Sequence, residues 1–301
     1  MVDERLDEQL QNINYRYQEL LHSDSMQFIE KKNRYLKIIR NFNIKGLIEE
    51  LRYRDYAKRN FSIKGNVDFH NNEKQDVKQF KIAVYSCIVG RYDSFIEPVY
   101  VEPEIDYLMF TDQNISSSSA WKKIDITKMK EYGRITNPML NRKLKIQQCD
   151  LLKQYDYTIY VDGNIEIVTG LSPLISDMKS CGLGLHYHRV RDCIYDEVVA
   201  VKHRKRLYDG DIDKQIISYR NEGYPAHNGM YENSIIVRDN HCTEVEDLML
   251  SWWEEYCKYP TRDQLSLPYI IWKKKFDKHK ILILGNDIER NVRFNRINKH
   301  L

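Results

Sequence analysis

The sequence predicts an α/β protein in which a mostly parallel β-sheet is flanked by helices and preceded by a helical extension. Three observations lead there. Ile82-Ala83-Val84-Tyr85-Ser86-Cys87-Ile88-Val89 is a near-continuous apolar run closed by Gly90, the pattern of a strand buried on both faces, as parallel strands are. Shorter runs of the same kind recur downstream with helical patterns between them, and that alternation builds parallel sheets. Residues up to about Arg59 carry a different, helical periodicity.

In chain order, Leu6, Leu10, Ile13, Tyr17 and Leu20 step by four and three, a heptad-like seam with charged and amide residues between. Such a seam either packs a helix on the main domain, the reading we favour, or pairs with another helix in self-association. A second helical stretch, Tyr35 to Ile39, leads to Ile44-Lys45-Gly46-Leu47-Ile48, where Gly46 is expected to interrupt or end a helix. The polar run 66–78 reads as a linker, dividing the chain into an extension with linker (1–78) and a main domain (79–301). Beyond the first strand, further strands are expected at Asp106 to Asp112, Tyr157 to Val161, Ser234 to Val237 and Ile281 to Leu284, with a helix from Asn141 to Lys153. Ligands on such sheets sit beyond the carboxyl ends of the strands. Gly90-Arg91-Tyr92-Asp93, Thr111-Asp112 and Asp162-Gly163-Asn164 all fall there.

Composition narrows the function classes. Among 301 residues, 47 Lys+Arg against 44 Asp+Glu give a formal charge of +3, too mild to argue for nucleic acid. No apolar run reaches bilayer length, and the N-terminus is charged where a signal peptide is apolar. A cytoplasmic protein is expected, with any membrane attachment made through a partner. The six cysteines include no CxxC pair, which speaks against a zinc ribbon; most are expected to be reduced, buried thiols.

Several residues have the chemistry of a site. Asp162 and Asn164, oxygen-bearing side chains separated by one glycine, suit a hard divalent ion such as Mn or Mg bridging two phosphates. The same letters also spell an ordinary Asp-Gly turn. Alternation puts His186 and His188 on one strand face, and with Arg189 they suggest a metal ligand, His188 in particular, or a phosphate-binding pair. The loop Tyr224 to Asn233 offers polar and aromatic groups for a sugar, among them Asn228, Gly229 and Glu232, though a well-ordered turn has the same composition. Arg262-Asp263-Gln264 precedes an apolar helix, where Asp263 is a base or a sugar-hydroxyl acceptor, or simply a helix-start carboxylate. Trp252 and Trp253 read as core.

Together these segments resemble a family of glycosyltransferase-like proteins long catalogued as a domain of unknown function, with bacterial and plant members. The resemblance runs from about Lys81 to Lys275. It rests on Tyr85 to Asp93, Phe110-Thr111-Asp112, Val161 to Asn164, His186 to Arg189, Asp196-Glu197, Gly223-Tyr224-Pro225, Gly229 to Asn233, Trp252-Trp253-Glu254 and Arg262 to Ser266. Their order and spacing carry it more than any single motif. It implies a GT-A-like fold, a nucleotide-sugar donor, a glycan or other hydroxyl acceptor, and a divalent cation. By that comparison Gly90, Arg91, Tyr92 and Asp93 lie near the nucleotide and Asp112 faces the base or ribose. Arg142, Lys143 and Lys145 either reach the diphosphate or form a solvated helix face. Asp162, Gly163 and Asn164 centre the donor site, while His186, His188, Arg189, Asn228, Gly229, Glu232, Arg262 and Gln264 fall on the sugar or acceptor side. Asp263 would deprotonate the acceptor in an inverting reaction or hold the donor sugar in a retaining one. The N-terminal helices lie outside the resemblance. A nucleotidyltransferase, or a non-catalytic module that binds nucleotide sugars, is compatible with the same residues.

Overall fold

A computed structural model describes residues 2–40, 44–60, 79–90, 92, 94–147, 149–204 and 210–297. Three helices come first, α1 (Val2–Leu21), α2 (Asp24–Arg40) and α3 (Ile44–Asn60). The main body follows with strands β1 (Ile82–Ile88), β2 (Ile105–Thr111), β3 (Lys122–Asp125), β4 (Tyr157–Val161), β5 (Ile165–Ile167), β6 (Leu183–Tyr187), β7 (Tyr231–Asp239), β8 (Ile281–Gly285) and β9 (Phe294–Arg296). Its helices are α4 (Asn137–Ile146), α5 (Ser172–Met178), α6 (Ile194–His203), α7 (Ile212–Asn221), α8 (Thr243–Lys258) and α9 (Asp263–Lys273).

The main sheet has the order β3-β2-β1-β4-β7-β6-β8. β1 lies between β2 and β4 in parallel register and is buried throughout, as its apolar run requires. β2 pairs with β3 and β6 with β8, also in parallel. This is the α/β architecture, a mostly parallel sheet flanked by helices, that the sequence predicts. One strand departs from the parallel rule in a way that shapes the site. β7 runs antiparallel between β4 and β6, with Val161 opposite Ile235. Its first residues therefore arrive at the carboxyl end of β4, where the Asp162 amide donates to the Ser234 carbonyl at 2.8 Å.

Strand alternation divides the core between two faces. Tyr85, Phe110, Tyr160 and Leu144 pack with Trp252 and Tyr269 beneath α4, α8 and α9. Val84, Met109, Ile159 and Leu174 pack on the other side with Phe294 of the small β5–β9 sheet. Trp252 is core, as expected, and Trp253 packs against it half-buried. The helix expected over Asn141 to Lys153 begins earlier, at Asn137. The Thr136 hydroxyl caps it by accepting from the Met139 amide at 3.4 Å, with a proline in the first turn. It also stops earlier, and a 3₁₀ segment, Asp150–Gln154, follows. There the Asn240 side chain donates to the carbonyls of Leu152 (3.1 Å) and Tyr155 (2.8 Å) and fixes a tighter turn. β7 extends well beyond Ser234 to Val237, and β3, β5 and β9 are too short to show periodicity in sequence.

α1 packs on the main body, but with the opposite face from the one its seam suggests. Asp7, Gln11, Asn14 and Gln18 are buried. Asp7 accepts from the Gly170 amide at 2.7 Å, Asn14 donates to the carbonyls of Asn291 (3.3 Å) and Val292 (2.9 Å), and Gln18 donates to Asn295 at 2.5 Å. The apolar seam faces outward, with Ile13 and Leu20 each 64% exposed. α3 runs through Gly46 without a break. Near its end the Tyr56 hydroxyl donates to Asp196 at 2.5 Å, and Tyr53 stacks on His203 at 3.9 Å between ring centres. The expected linker, 66–78, lies outside the described residues. Among those described, no helix is long and apolar enough to cross a membrane. All six cysteines are unpaired, but only Cys87 and Cys193 are fully buried, fewer than expected.

Candidate functional site

The carboxyl ends of β1, β2 and β4 form the floor of the site. Gly90 follows β1 at φ +68°, a left-handed turn that glycine adopts without strain. Its amide donates to both carboxylate oxygens of Asp112, at 3.0 and 3.1 Å, and the Tyr132 hydroxyl donates to the same carboxylate at 3.0 Å. Asp112 thus braces the β1 turn. Tyr92 is 68% exposed, while Arg91 and Asp93 lie outside the described residues. At the end of β4, a side chain on residue 163 would come within 2.8 Å of Ile88, so Gly163 serves the close passage of β4 past β1.

Above this floor stands a compact cluster of opposite charges. Lys145, in the last turn of α4, is only 2% exposed and lies over the Tyr160 ring. Its ammonium is 3.2 Å from Asp162 Oδ1 and 2.9 Å from Asp263 Oδ2. The alternative of a solvated helix face fails for Lys145 because α4 lays its C-terminal turn against the sheet. Lys143 does point away, pairing with Glu131 at 2.7 Å. Arg142 Nε lies 3.8 Å from Asp263 Oδ1, and the Tyr160 hydroxyl donates to Asp162 at 2.7 Å. Burial alone would raise the Asp263 carboxyl, but Lys145, then Arg142 and Arg262, hold it well below the usual carboxylate range. Burial likewise opposes the Arg142 charge, and Asp263 and Asp162 more than offset it. Asp263 is the first residue of α9. This is the helix-start position the sequence suggests, and there the carboxylate is engaged by Lys145 and Arg142.

From Arg262 the charges continue in two further groups of contacts. Arg262 Nε lies 2.9 Å from Glu197, and Arg191 pairs with the same carboxylate at 2.5 Å. His188 lies beside them, its Nδ1 accepting from the Val190 and Arg191 amides at 3.4 and 3.2 Å and its Nε2 3.2 Å from the Arg191 guanidinium. Burial lowers its pKa to about 4, so the ring is neutral at pH 7. Glu232 faces Arg296 at 3.1 Å and accepts from the Ser234 hydroxyl at 2.9 Å. Burial would raise its carboxyl, but Arg296, His188 and Arg262 hold it down at about 2. Arg296 also meets Glu289, which pairs with Arg189.

The structure therefore brings Arg142, Asp162, Asp263, Arg262, His188, Glu232 and Arg189 into one network, and it separates other candidates from it. His186 does not share a setting with His188, which lies one residue beyond the end of β6. Its ring meets Asn291 at 2.9 Å and the edge of Phe294. With both ring nitrogens of His188 facing N–H groups, that residue does not fit the role of metal ligand. Asn228 and Gly229 sit apart, where Lys278 donates to the Asn228 carbonyl at 3.0 Å. Gln264 is buried, and its Oε1 finds no hydrogen-bond partner among the described residues. A cavity of about 640 Å³ lies between α4 and α8, lined by Leu140, Arg238, Asp239 and Met249. Since Asp239 pairs with Tyr157, that cavity opens at the far end of β4 from Asp162.

The sequence does not separate Lys145 from its neighbours; Glu197 enters it only within the Asp196-Glu197 segment of the resemblance, and Arg191, Glu289 and Arg296 carry no functional signal of their own. The charge-rich stretch Glu289 to Arg296 and its return to β5 through β9 are the cues that tie these residues to the site.

A search of curated proteins gave no match. Among solved structures, the chain is similar to a WbbM bifunctional glycosyltransferase in its apo structure, with 10% identity and a TM-score of 0.42 over 70% of this chain and 40% of that one. The chain thus spans less than half the length of that protein. A family model described as TOD1/MUCI70, glycosyltransferase-like domain, matches residues 53–300. That match begins within α3, ahead of the Lys81 start of the resemblance, and takes in Tyr56, Arg293 and Arg296. Covering most of the sequence, it establishes that the chain belongs to the TOD1/MUCI70 glycosyltransferase-like domain family.

Proposed function

We propose that the chain transfers a sugar from a nucleoside-diphosphate donor to a hydroxyl group of a glycan or similar acceptor. The observation that carries this reading is the pair of cations at the carboxyl end of β4, Lys145 between Asp162 and Asp263 and Arg142 beside Asp263. In such a transfer the bond from the anomeric carbon to the diphosphate oxygen breaks, and its electron pair leaves with the diphosphate. Fixed positive charge at that position stabilises the departing group. The acceptor hydroxyl forms the new bond and gives up its proton.

Asp162 and Asn164 would hold a Mn or Mg ion through hard oxygen donors. The Lys145 ammonium already beside Asp162 shares the same task. When bound, the ion would add to the neutralisation of diphosphate charge. Asp263 is ionised but weakly basic while Lys145 and Arg142 rest on it. A diphosphate drawing those cations towards itself would make the Asp263 carboxylate a better base for the acceptor proton. In a retaining reaction the same carboxylate would hold the donor sugar.

Thermal shift and calorimetry with a panel of nucleoside diphosphates and nucleotide sugars, with and without manganese, test the proposal. We expect at least one diphosphate to bind, with Asp162→Ala and Lys145→Met each losing most of that affinity. Absence of any binding at millimolar ligand, or binding indifferent to both substitutions, would overturn it.

A further inference from the structure

Cys193, Asp196 and His227 form a second group of chemistry-bearing side chains, outside the charge network. One ligating atom of each lies within 4.8 Å of the other two. Cys193 is the N-cap residue of α6 and makes no capping hydrogen bond through its side chain. Asp196 stands three residues on, so both project from the same side of the helix start. Glu197, one position further, points about 100° around the helix towards Arg191 and Arg262. The third member arrives from the loop before β7.

His227 is held at φ +55°, a left-handed backbone that a non-glycine residue adopts only when its surroundings impose it. Asp192 imposes it here. Its carboxylate meets His227 Nδ1 at 2.8 Å and its carbonyl accepts from the Gly229 amide at 2.9 Å. With Nδ1 engaged by a carboxylate, Nε2 is the nitrogen left with a lone pair. Metal-binding histidines are oriented by the same device. Asp196 is oriented too, since Tyr56 from α3 donates to its Oδ1 at 2.5 Å and leaves Oδ2 for another partner.

We propose that Cys193, Asp196 and His227 bind a zinc ion, with water at a fourth position. A sulfur, an imidazole nitrogen and a carboxylate oxygen form a set of intermediate softness that suits zinc. Manganese and magnesium favour all-oxygen shells such as Asp162 with Asn164, so the two places select different metals. The ion ties the loop 224–230 to the start of α6, and through Tyr56 to α3.

The full chain, stripped with a chelator and titrated with cobalt as a spectroscopic stand-in, tests this. We expect one cobalt to bind with a near-ultraviolet thiolate-to-metal band, displaced by zinc and not by magnesium. Cys193→Ser should abolish the band. His227→Ala, at an exposed residue, should weaken affinity at least about tenfold, and Asp192→Asn by about 10- to 100-fold. Asp162→Ala and Cys257→Ser should leave the band intact. No band in the unmutated chain, a band surviving Cys193→Ser, loss of the band in Asp162→Ala or Cys257→Ser, or unchanged affinity in His227→Ala would each overturn the assignment.

Discussion

Replacing Lys145 by methionine keeps much of the side-chain length and removes the charge between Asp162 and Asp263. Asp263 would then rely on Arg142, whose Nε is 3.8 Å away, and Asp162 would lose the ammonium at 3.2 Å. Stripping one partner from a buried ion pair costs about 3–5 kcal/mol, since the stranded charge stays out of water. In a domain of this size each kcal/mol moves the melting point by about 2–4 °C, so Lys145→Met should fall by about 6–20 °C. Adding Asp263→Asn removes the stranded charge, and the double variant should be less destabilised than the sum of the two single ones, by about 0.5–3 kcal/mol. Acid gives an independent check. Asp263 has a lowered carboxyl pKa in the folded state, so its contribution is fully present above the ordinary value of about 3.9 and is lost as pH falls below it. Lys145→Met should flatten that acid limb. Denaturant unfolding followed by circular dichroism at pH 7 and pH 3 reads all three effects. A wild-type midpoint for Lys145→Met at pH 7, or strict additivity in the double variant, would refute the reasoning.

Asp162→Ala should abolish metal-dependent diphosphate binding without unfolding the chain, whereas Asn164→Asp should keep or strengthen it by restoring a second charged oxygen; calorimetry in manganese separates the two. Glu232, held down at about 2 by Arg296 and its neighbours, stabilises the fold above about pH 4.3 and loses that effect between about 4 and 2. Arg296→Met should therefore shrink the loss of stability across that window in an acid titration. On α1, Asn14→Ala should cost about 1–3 kcal/mol, because it leaves the buried Asn291 and Val292 carbonyls without their donor. Ile13→Ser, at a solvent-facing position, should shift the melting curve by less than about 0.5 kcal/mol.

The sheet was legible because its strands are buried on both faces, which writes them as apolar runs. β1 and β4 appear at nearly their true bounds, and the strand-end residues Gly90, Asp112 and Asp162 follow from topology. The direction of β7 was not legible, since strand polarity leaves no mark on an apolar run. Without it, nothing in the sequence puts Glu232 or Ser234 beside Asp162. The two histidines misled for a related reason: alternation holds only along a strand, and β6 ends at Tyr187, one residue before His188. Lys145 shows a third limit. Three basic residues on one short helix look alike in sequence, and only the docking of α4 decides that Lys143 faces outward while Lys145 is enclosed. The seam on α1 was read correctly as a pattern and wrongly as the packing face, because buried amides with specific partners do the docking there.

Those amide bonds also bear on the order in which the molecule is completed. α1 leaves the ribosome well before its partners, since Asn14 bonds to backbone 277 and 278 positions later in the chain. A nascent chain must therefore carry α1 undocked, with Asp7, Asn14 and Gln18 without their partners, while the intervening residues are made. At about 5–20 residues per second that wait lasts on the order of tens of seconds. When α1 finally docks, it closes on the same short segment that delivers Arg296 to Glu232. The finishing step of assembly and the completion of the charge network are then one event, and a chain stalled before residue 290 would lack both.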